Sequence, residues 1–320
     1  MIRRSLLACA ALSAFAMAVH AQDNYPSKPI KFVVGYSPGG SNDILARIVA
    51  KRLGDSLGQP VVVENRPSTG AIVGAVVTKQ APPDGYTLMI GASGPLVINA
   101  ATYSSLPYSP QKDFIPISTI ATFPLIVSVK ADSPFKTMPD LVKYTKENPQ
   151  LSNYASSAST FQLATELLKE RTGIQSQHVP YKGSGDSMKS VAGGETTFSM
   201  LDPGPAAGAI NGKLVRGLAV SSDVRNPSFP DIPTLKEQGI DLSIQFWIGL
   251  FAPAGTPTPI VRLLEREVAK AVQHPETLKS MAQLGLTPTS STSEAFTRQI
   301  AQEIPAWTEV ARKNNIKADQ

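Results

Sequence analysis

Lys31-Phe32-Val33-Val34-Gly35-Tyr36-Ser37-Pro38-Gly39-Gly40-Ser41-Asn42-Asp43-Ile44-Leu45 passes from a short strand signal, through a turn with two adjacent glycines, into a helix. Lys31 to Val34 reads as a buried strand. Ile44, Leu45, Ile48, Val49, Leu53 and Leu57 then recur with the helical period until Gly58 stops the run. The unit repeats at once. Val61-Val62-Val63 is a second strand, Asn65-Arg66-Pro67 a turn, Ile72 to Lys79 a helix, and Tyr86 to Ile90 a third strand behind Pro82-Pro83-Asp84-Gly85. Short strands that alternate with helices place the chain in the α/β class with largely parallel sheets.

A second series begins with strand Leu125 to Val129 and the capping-box-like Thr137-Met138-Pro139-Asp140. It continues through strand Asn153 to Ala155, helix Phe161 to Arg171 closed by Gly173, strand Gln177 to Val179, a short helix near Ser187, and strands Thr197 to Leu201 and Leu214 to Val220. The tail is helical, with Ile260, Leu263, Leu264, Ala271 and Val272 on one face. A last helix opens at Ser291-Thr292-Ser293, carries Phe296, Ile300, Ile304 and Trp307, and is expected to kink at Pro305. Two lobes follow, with lobe 1 made of residues 22–123 and 225–320 and lobe 2 of residues 124–224. Short crossings join them near Ile120 to Pro124 and between Ser222 and Trp247.

The start of the chain fixes the expected compartment. Arg3 and Arg4 precede an apolar run from Leu6 to Val19, and Val19-His20-Ala21 has small residues at the cleavage positions, so residues 1–21 read as a signal peptide for export to the periplasm. The run is shorter than the ~20 apolar residues of a spanning helix. Its single cysteine, Cys9, admits a second reading as a lipoprotein anchor; with the signal removed no thiol remains. The net charge of +5 falls to about +3 once Arg3 and Arg4 are cleaved off, and no basic run argues for nucleic acid.

Three strand-to-helix turns carry chemistry. Helix starts expose unpaired N–H groups and about half a positive charge, which suits anions. Tyr36 to Asp43 reads either as a carboxylate cradle or as an ordinary well-capped turn; Tyr154-Ala155-Ser156-Ser157-Ala158-Ser159-Thr160, rich in hydroxyls, leaves the same pair of readings open. Tyr181-Lys182-Gly183-Ser184-Gly185-Asp186 is the third turn, and Asp202, in Leu201-Asp202-Pro203-Gly204-Pro205, either reaches a cleft or caps a helix. Open α/β sheets offer a crevice at the carboxyl ends of their strands, where such turns gather. Catalytic readings are weak. Beyond residue 21 the only histidines are His178, within a strand, and His274, before a proline, and the sequence has no G-x-S-x-G, no H-E-x-x-H, no P-loop and no metal-ligand spacing.

The chain resembles the Bug receptors, the periplasmic substrate-binding components of tripartite tricarboxylate transporters. The resemblance rests on Tyr25-Pro26-Ser27-Lys28-Pro29-Ile30, on Pro38-Gly39-Gly40 with Asp43 and Ala46-Arg47, and on Gly58-Gln59-Pro60-Val61-Val62-Val63-Glu64-Asn65-Arg66-Pro67. Pro83-Asp84-Gly85-Tyr86-Thr87-Leu88, His178-Val179-Pro180-Tyr181-Lys182-Gly183-Ser184-Gly185 and Phe251-Ala252-Pro253-Ala254-Gly255-Thr256-Pro257 follow in the same order. It implies a two-lobed periplasmic-binding-protein fold of type II, a Venus flytrap that closes on a carboxylate held by backbone amides, hydroxyls and water. It implies no enzyme activity and no cofactor. The ligand contacts it implies are Tyr36, Ser37, Gly39, Gly40, Ser41, Ser93, Ser156, Ser157, Thr160, Gly183, Ser184 and Asp202. The second loop departs from the family pattern, reading Ser157-Ala158-Ser159-Thr160 where Gly-Asn-Gly and a histidine are usual, which suits a different acid, an amide or an aromatic acid. The expected partners are a small organic acid and a membrane permease or, on a second reading, a sensor kinase; because no exposed apolar stripe is evident in the sequence, the protein is expected to act as a monomer.

Overall fold

Residues 25–318 are described by the structure, a computed structural model. The signal-peptide reading of residues 1–21, Cys9 included, lies outside the described residues. Near the start, β1 (Ile30–Val34), α1 (Ser41–Leu57), β2 (Val61–Asn65), α2 (Ile72–Lys79) and β3 (Thr87–Ala92) follow the expected alternation, with β2 and β3 parallel to β1 on either side. The α1 face that packs inward is Leu45, Ala46, Val49, Ala50 and Leu53, flanked by half-buried Ile44 and Ile48. Gly58 ends the helix in the left-handed region at φ 70°, donating its N–H to the Gly54 carbonyl, a conformation that glycine adopts without a Cβ penalty.

The strand β4 (Phe114–Pro124) was expected only as the approach to a crossing, yet it runs for 11 residues through the first sheet. Its two prolines and lack of alternation hide it. Pro116 lies opposite Phe251, beside a register shift in the pairing with the later strand Gln245–Pro253, the kind of irregular position at which a strand tolerates proline.

The chain then enters a second sheet: β5 (Ile126–Lys130), α3 (Met138–Glu147), β6 (Asn153–Ser156), α4 (Ser159–Thr172), β7 (Gln177–Pro180), α5 (Ser184–Gly193), β8 (Phe198–Leu201), α6 (Pro203–Asn211) and β9 (Val215–Val220). It returns with β10 (Gln245–Pro253), α7 (Thr258–Gln273), α8 (Pro275–Gln283), β11 (Thr287–Pro288) and α9 (Ser293–Lys313). The sheets have the orders β11-β4-β10-β3-β1-β2 and β7-β6-β8-β5-β9.

Both sheets are mixed rather than largely parallel. β10 is antiparallel to β3 and β4, and β5 is antiparallel to β8 and β9. Each of these strands arrives from the other sheet, so no crossover helix within its own sheet imposes a parallel direction. The two connecting segments lie side by side. Buried Ser221 ties them, its Oγ accepting from Leu125 N at 2.8 Å and donating to Ile244 O at 2.6 Å, while its backbone bonds the same two residues.

An aromatic group secures α9 to the first sheet. Trp247 and Phe296 meet edge-to-face at 4.7 Å, and Phe251 lies 5.1 Å from Phe296. Gly249 makes room for them, because a Cβ there would stand 2.5 Å from the Phe296 ring. Truncating Phe296 to alanine would cost about 3–5 kcal/mol. The helix α9 stays helical through Pro305; the carbonyl deprived of its donor belongs to Ala301, an exposed residue that water can serve.

Candidate functional site

The turns that leave β1, β3, β6, β7 and β8 at their carboxyl ends face one cavity of about 520 Å³ between the two sheets. Tyr36, Ser41 and Asn42 line it from the first turn, and Ser93, Gly94 and Pro95 from the second. The other lobe contributes Ser157 to Phe161, Lys182 to Ser184, and Asp202 to Gly204. The lobes approach closely here. A Cβ on Gly204 would lie 3.5 Å from Ser41 Oγ, and one on Gly94 would lie 3.6 Å from Thr160 Oγ1.

Four helices, α1, α4, α5 and α6, begin on this cavity, and none has a side-chain cap. Their N-cap residues are Gly40, Ala158, Gly183 and Asp202; the first three have no cap to offer, and the Asp202 side chain does not cap α6. The first N–H groups of α1, α4 and α5 have no intrahelical carbonyl to bond, although Phe161 N and Asp186 N already reach the Ala158 and Gly183 carbonyls, and α6, opening with Pro203-Gly204-Pro205, offers only the Gly204 N–H; these donors and four positive helix ends are left to whatever occupies the space. Elsewhere, Thr137, His274 and Thr292 cap α3, α8 and α9, while α2, after Ala71, and α7, after Pro257, begin without a side-chain cap.

The first turn is held from behind by Asp43. Its Oδ2 accepts from Gly39 N at 2.9 Å and Arg47 Nε at 3.1 Å; its Oδ1 accepts from Arg47 Nη2 and Asn65 Nδ2, each at 2.9 Å. Burial alone would raise this carboxyl, but the bonds from Arg47, Gly39 and Asn65 hold its pKa below the usual range. Asn65 also donates to the Tyr36 carbonyl. The family-like residues Asp43, Arg47 and Asn65 therefore shape the turn from outside the cavity. Ser37, Gly39 and Gly40 also lie outside the lining, on the exposed side of the turn, and Gly39 serves it through φ 84° and its bond to Asp43.

In the other lobe, Ser156 is buried beneath the cavity and shares a 2.7 Å bond with His178 Nε2. Burial lowers the His178 pKa, which keeps the ring neutral beside Tyr154. Ser157 Oγ and Ser184 Oγ are 3.0 Å apart and link two of the lining turns. Ser93 lines the cavity, but its hydroxyl accepts from Trp247 N at 2.9 Å. Ser93 begins a helical turn that contains a π-type segment over Gly94–Ile98, an irregularity frequent at functional sites.

Eight of the twelve expected residues therefore share the lining: Tyr36, Ser41, Ser93, Ser157, Thr160, Gly183, Ser184 and Asp202. The sequence reading missed the apolar wall. Phe123 and Phe246 are cross-strand neighbours whose rings lie 6.1 Å apart, and Ile248, Leu284 and Leu286 extend that wall. The i, i+2 spacing of Phe246 and Ile248 puts them on one strand face opposite Trp247, and was the available signal. Charge is sparse. Lys182 and Asp202 are the charged side chains on the lining, and Lys182 is exposed. Burial raises the Asp202 pKa, opposed by hydrogen bonding from Ser184 and from its own backbone. Burial, then the neighbouring Tyr108, raises the Tyr36 phenol, which remains a neutral donor.

Chains of known kind share this architecture. BugT of Bordetella pertussis is 34% identical over 299 residues, covering 92% of each chain. The solved R. palustris protein with adipate is 32% identical with a TM-score of 0.83, covering 92% of this chain and 99% of the other. MatC from Rhodopseudomonas palustris, solved with bound malate, is 26% identical with a TM-score of 0.78, covering 89% of this chain and 99% of the other. The family profile described as Tripartite tricarboxylate transporter family receptor matches residues 45–316. On these grounds the chain belongs to the tripartite tricarboxylate transporter receptors, a family of periplasmic solute-binding proteins rather than enzymes.

Proposed function

We propose that the protein captures a small carboxylic acid in the cavity between its lobes and delivers it to the membrane permease of a tripartite tricarboxylate-type transporter. The observation that carries this reading is the convergence of four uncapped helix starts on one cavity. Such a site binds an anion through backbone N–H groups and helix dipoles, with hydroxyls from Tyr36, Ser41, Ser157, Thr160 and Ser184 as further donors. The adipate and malate seen in the solved relatives are of this chemical class. Residues 22–123 and 225–320 act as one lobe and 124–224 as the other, hinged where Ser221 ties the two crossings, and the permease reads the closed state. Export through a signal peptide over residues 1–21 places it in the periplasm.

The test is a thermal-shift screen of the refolded protein against mono-, di- and tricarboxylates. An acid at ~100 times its Kd stabilises the folded form by about 2.7 kcal/mol. A shift with acids that disappears with their methyl esters supports the reading; equal shifts with acid and ester would overturn it.

A further inference from the structure

The neighbouring strands β11, β4, β10 and β3 carry one apolar strip along the cavity. Phe246 pairs directly with Phe123, their rings 6.1 Å apart, and two residues further on Ile248 pairs with Ala92. Phe123, Phe246, Ile248 and Ala92 therefore stand on one face of three adjacent strands. Leu286 continues the strip to the fourth strand, because the residue after it, Thr287, pairs with Thr122, the residue before Phe123. All five line the cavity, as does Leu284. None of these side chains carries a hydroxyl, an amide or a charge. The backbone groups of β4 and β10 are engaged as well, since each strand has a paired neighbour on both sides. Ser93, which follows Ala92, directs its hydroxyl to the Trp247 N–H at 2.9 Å. Phe246, Ile248 and Leu286 are buried, but Phe123 and Leu284 are only half-buried, so the strip offers apolar surface that a ligand can remove from water.

We propose that the acid taken by this cavity has an apolar body, a hydrocarbon ring or chain, and that the strip selects it over a hydroxylated acid of the same skeleton and charge. This rests on the reading that the cavity takes a carboxylic acid. The turns at the helix starts hold the carboxylate, and the body lies against Phe123 and Leu284. Hydrocarbon placed there leaves water at a gain, whereas a hydroxyl placed there gives up its hydrogen bonds to water and meets no donor or acceptor in return. A pocket of this size that combines an apolar wall with a few polar groups is the usual arrangement for fixing one polar end of a largely apolar ligand.

Calorimetry on pairs that share a skeleton and a charge tests this: adipate with galactarate, hexanoate with gluconate, cyclohexanecarboxylate with quinate, and benzoate with gallate. The tightest ligand should be an unhydroxylated member that exceeds its partner by about tenfold or more, with the more negative heat-capacity change of binding. Comparing the chain pairs with the ring pairs shows which body the cavity takes. Phe123→Thr and Leu284→Gln should each narrow the margin; they lie on separate elements, so the test holds should one of them fold poorly. A hydroxylated acid as tightest ligand, equal affinities within every pair, or a margin unchanged in both variants overturns the selectivity while leaving acid binding intact. If no member of any pair binds, the acid-receptor reading falls and this inference with it.

Discussion

The helices that open on the cavity lack the side-chain caps that α3, α8 and α9 carry where they open elsewhere. Thr137 caps α3 and forms a reciprocal box with Asp140, and Thr292 caps α9 by accepting from Ala295 N at 3.1 Å. At α1, α4 and α5 the corresponding residues are Gly40, Ala158 and Gly183, which have no side-chain oxygen, and at α6 the Asp202 side chain does not cap. An N-cap is worth about 1 kcal/mol. Its absence at four starts that meet in one space leaves donors for a ligand, so the cavity is a place where the sequence forgoes stability for recognition.

The largest effect that would sharpen this contrast comes from wedging the lobes apart. Gly204→Leu fills the gap facing Ser41 and should weaken acid binding by about 100-fold, read by calorimetry, while the unliganded protein keeps its melting temperature. Next come hydroxyl deletions at the two kinds of helix start. Thr160→Ala should weaken binding by about tenfold with stability unchanged, whereas Thr292→Ala should cost about 1 kcal/mol in urea unfolding with affinity unchanged. Interchanged results would break the comparison. The smallest effect belongs to Gly40→Ala. Gly40 is exposed, its φ of −78° suits any residue, and a Cβ there would meet only the Ser37 carbonyl at 3.7 Å, so affinity should change by less than about twofold.

The alternating elements were legible because their signals are local. The run Ile44 to Gly58 announces α1, and Thr137 to Asp140 announces α3. β4 was hidden because its direction and pairing depend on β10, more than a hundred residues later, and because Pro116 sits at a bulge that no local pattern reveals. The turns that line the cavity were legible from glycines and hydroxyls at strand-to-helix junctions, but not which side of a turn faces inward. Ser37, Gly39 and Gly40 turn outward because Asp43 grips the loop at Gly39, and Ser156 turns under the cavity toward His178. The wall of Phe123, Phe246 and Leu286 comes from three distant segments that only the fold assembles.

The most direct test follows backbone amides by nuclear magnetic resonance as the tightest acid from the screen is added to the ¹⁵N-labelled protein. The account predicts large downfield amide shifts and slowed hydrogen exchange at the starts of the cavity helices, at Ser41, Asn42, Ser159, Thr160 and Ser184, with the first turn of the capped helix at Ser293 unmoved. Shifts confined to the outer surface, or spread over capped and uncapped starts alike, would contradict it.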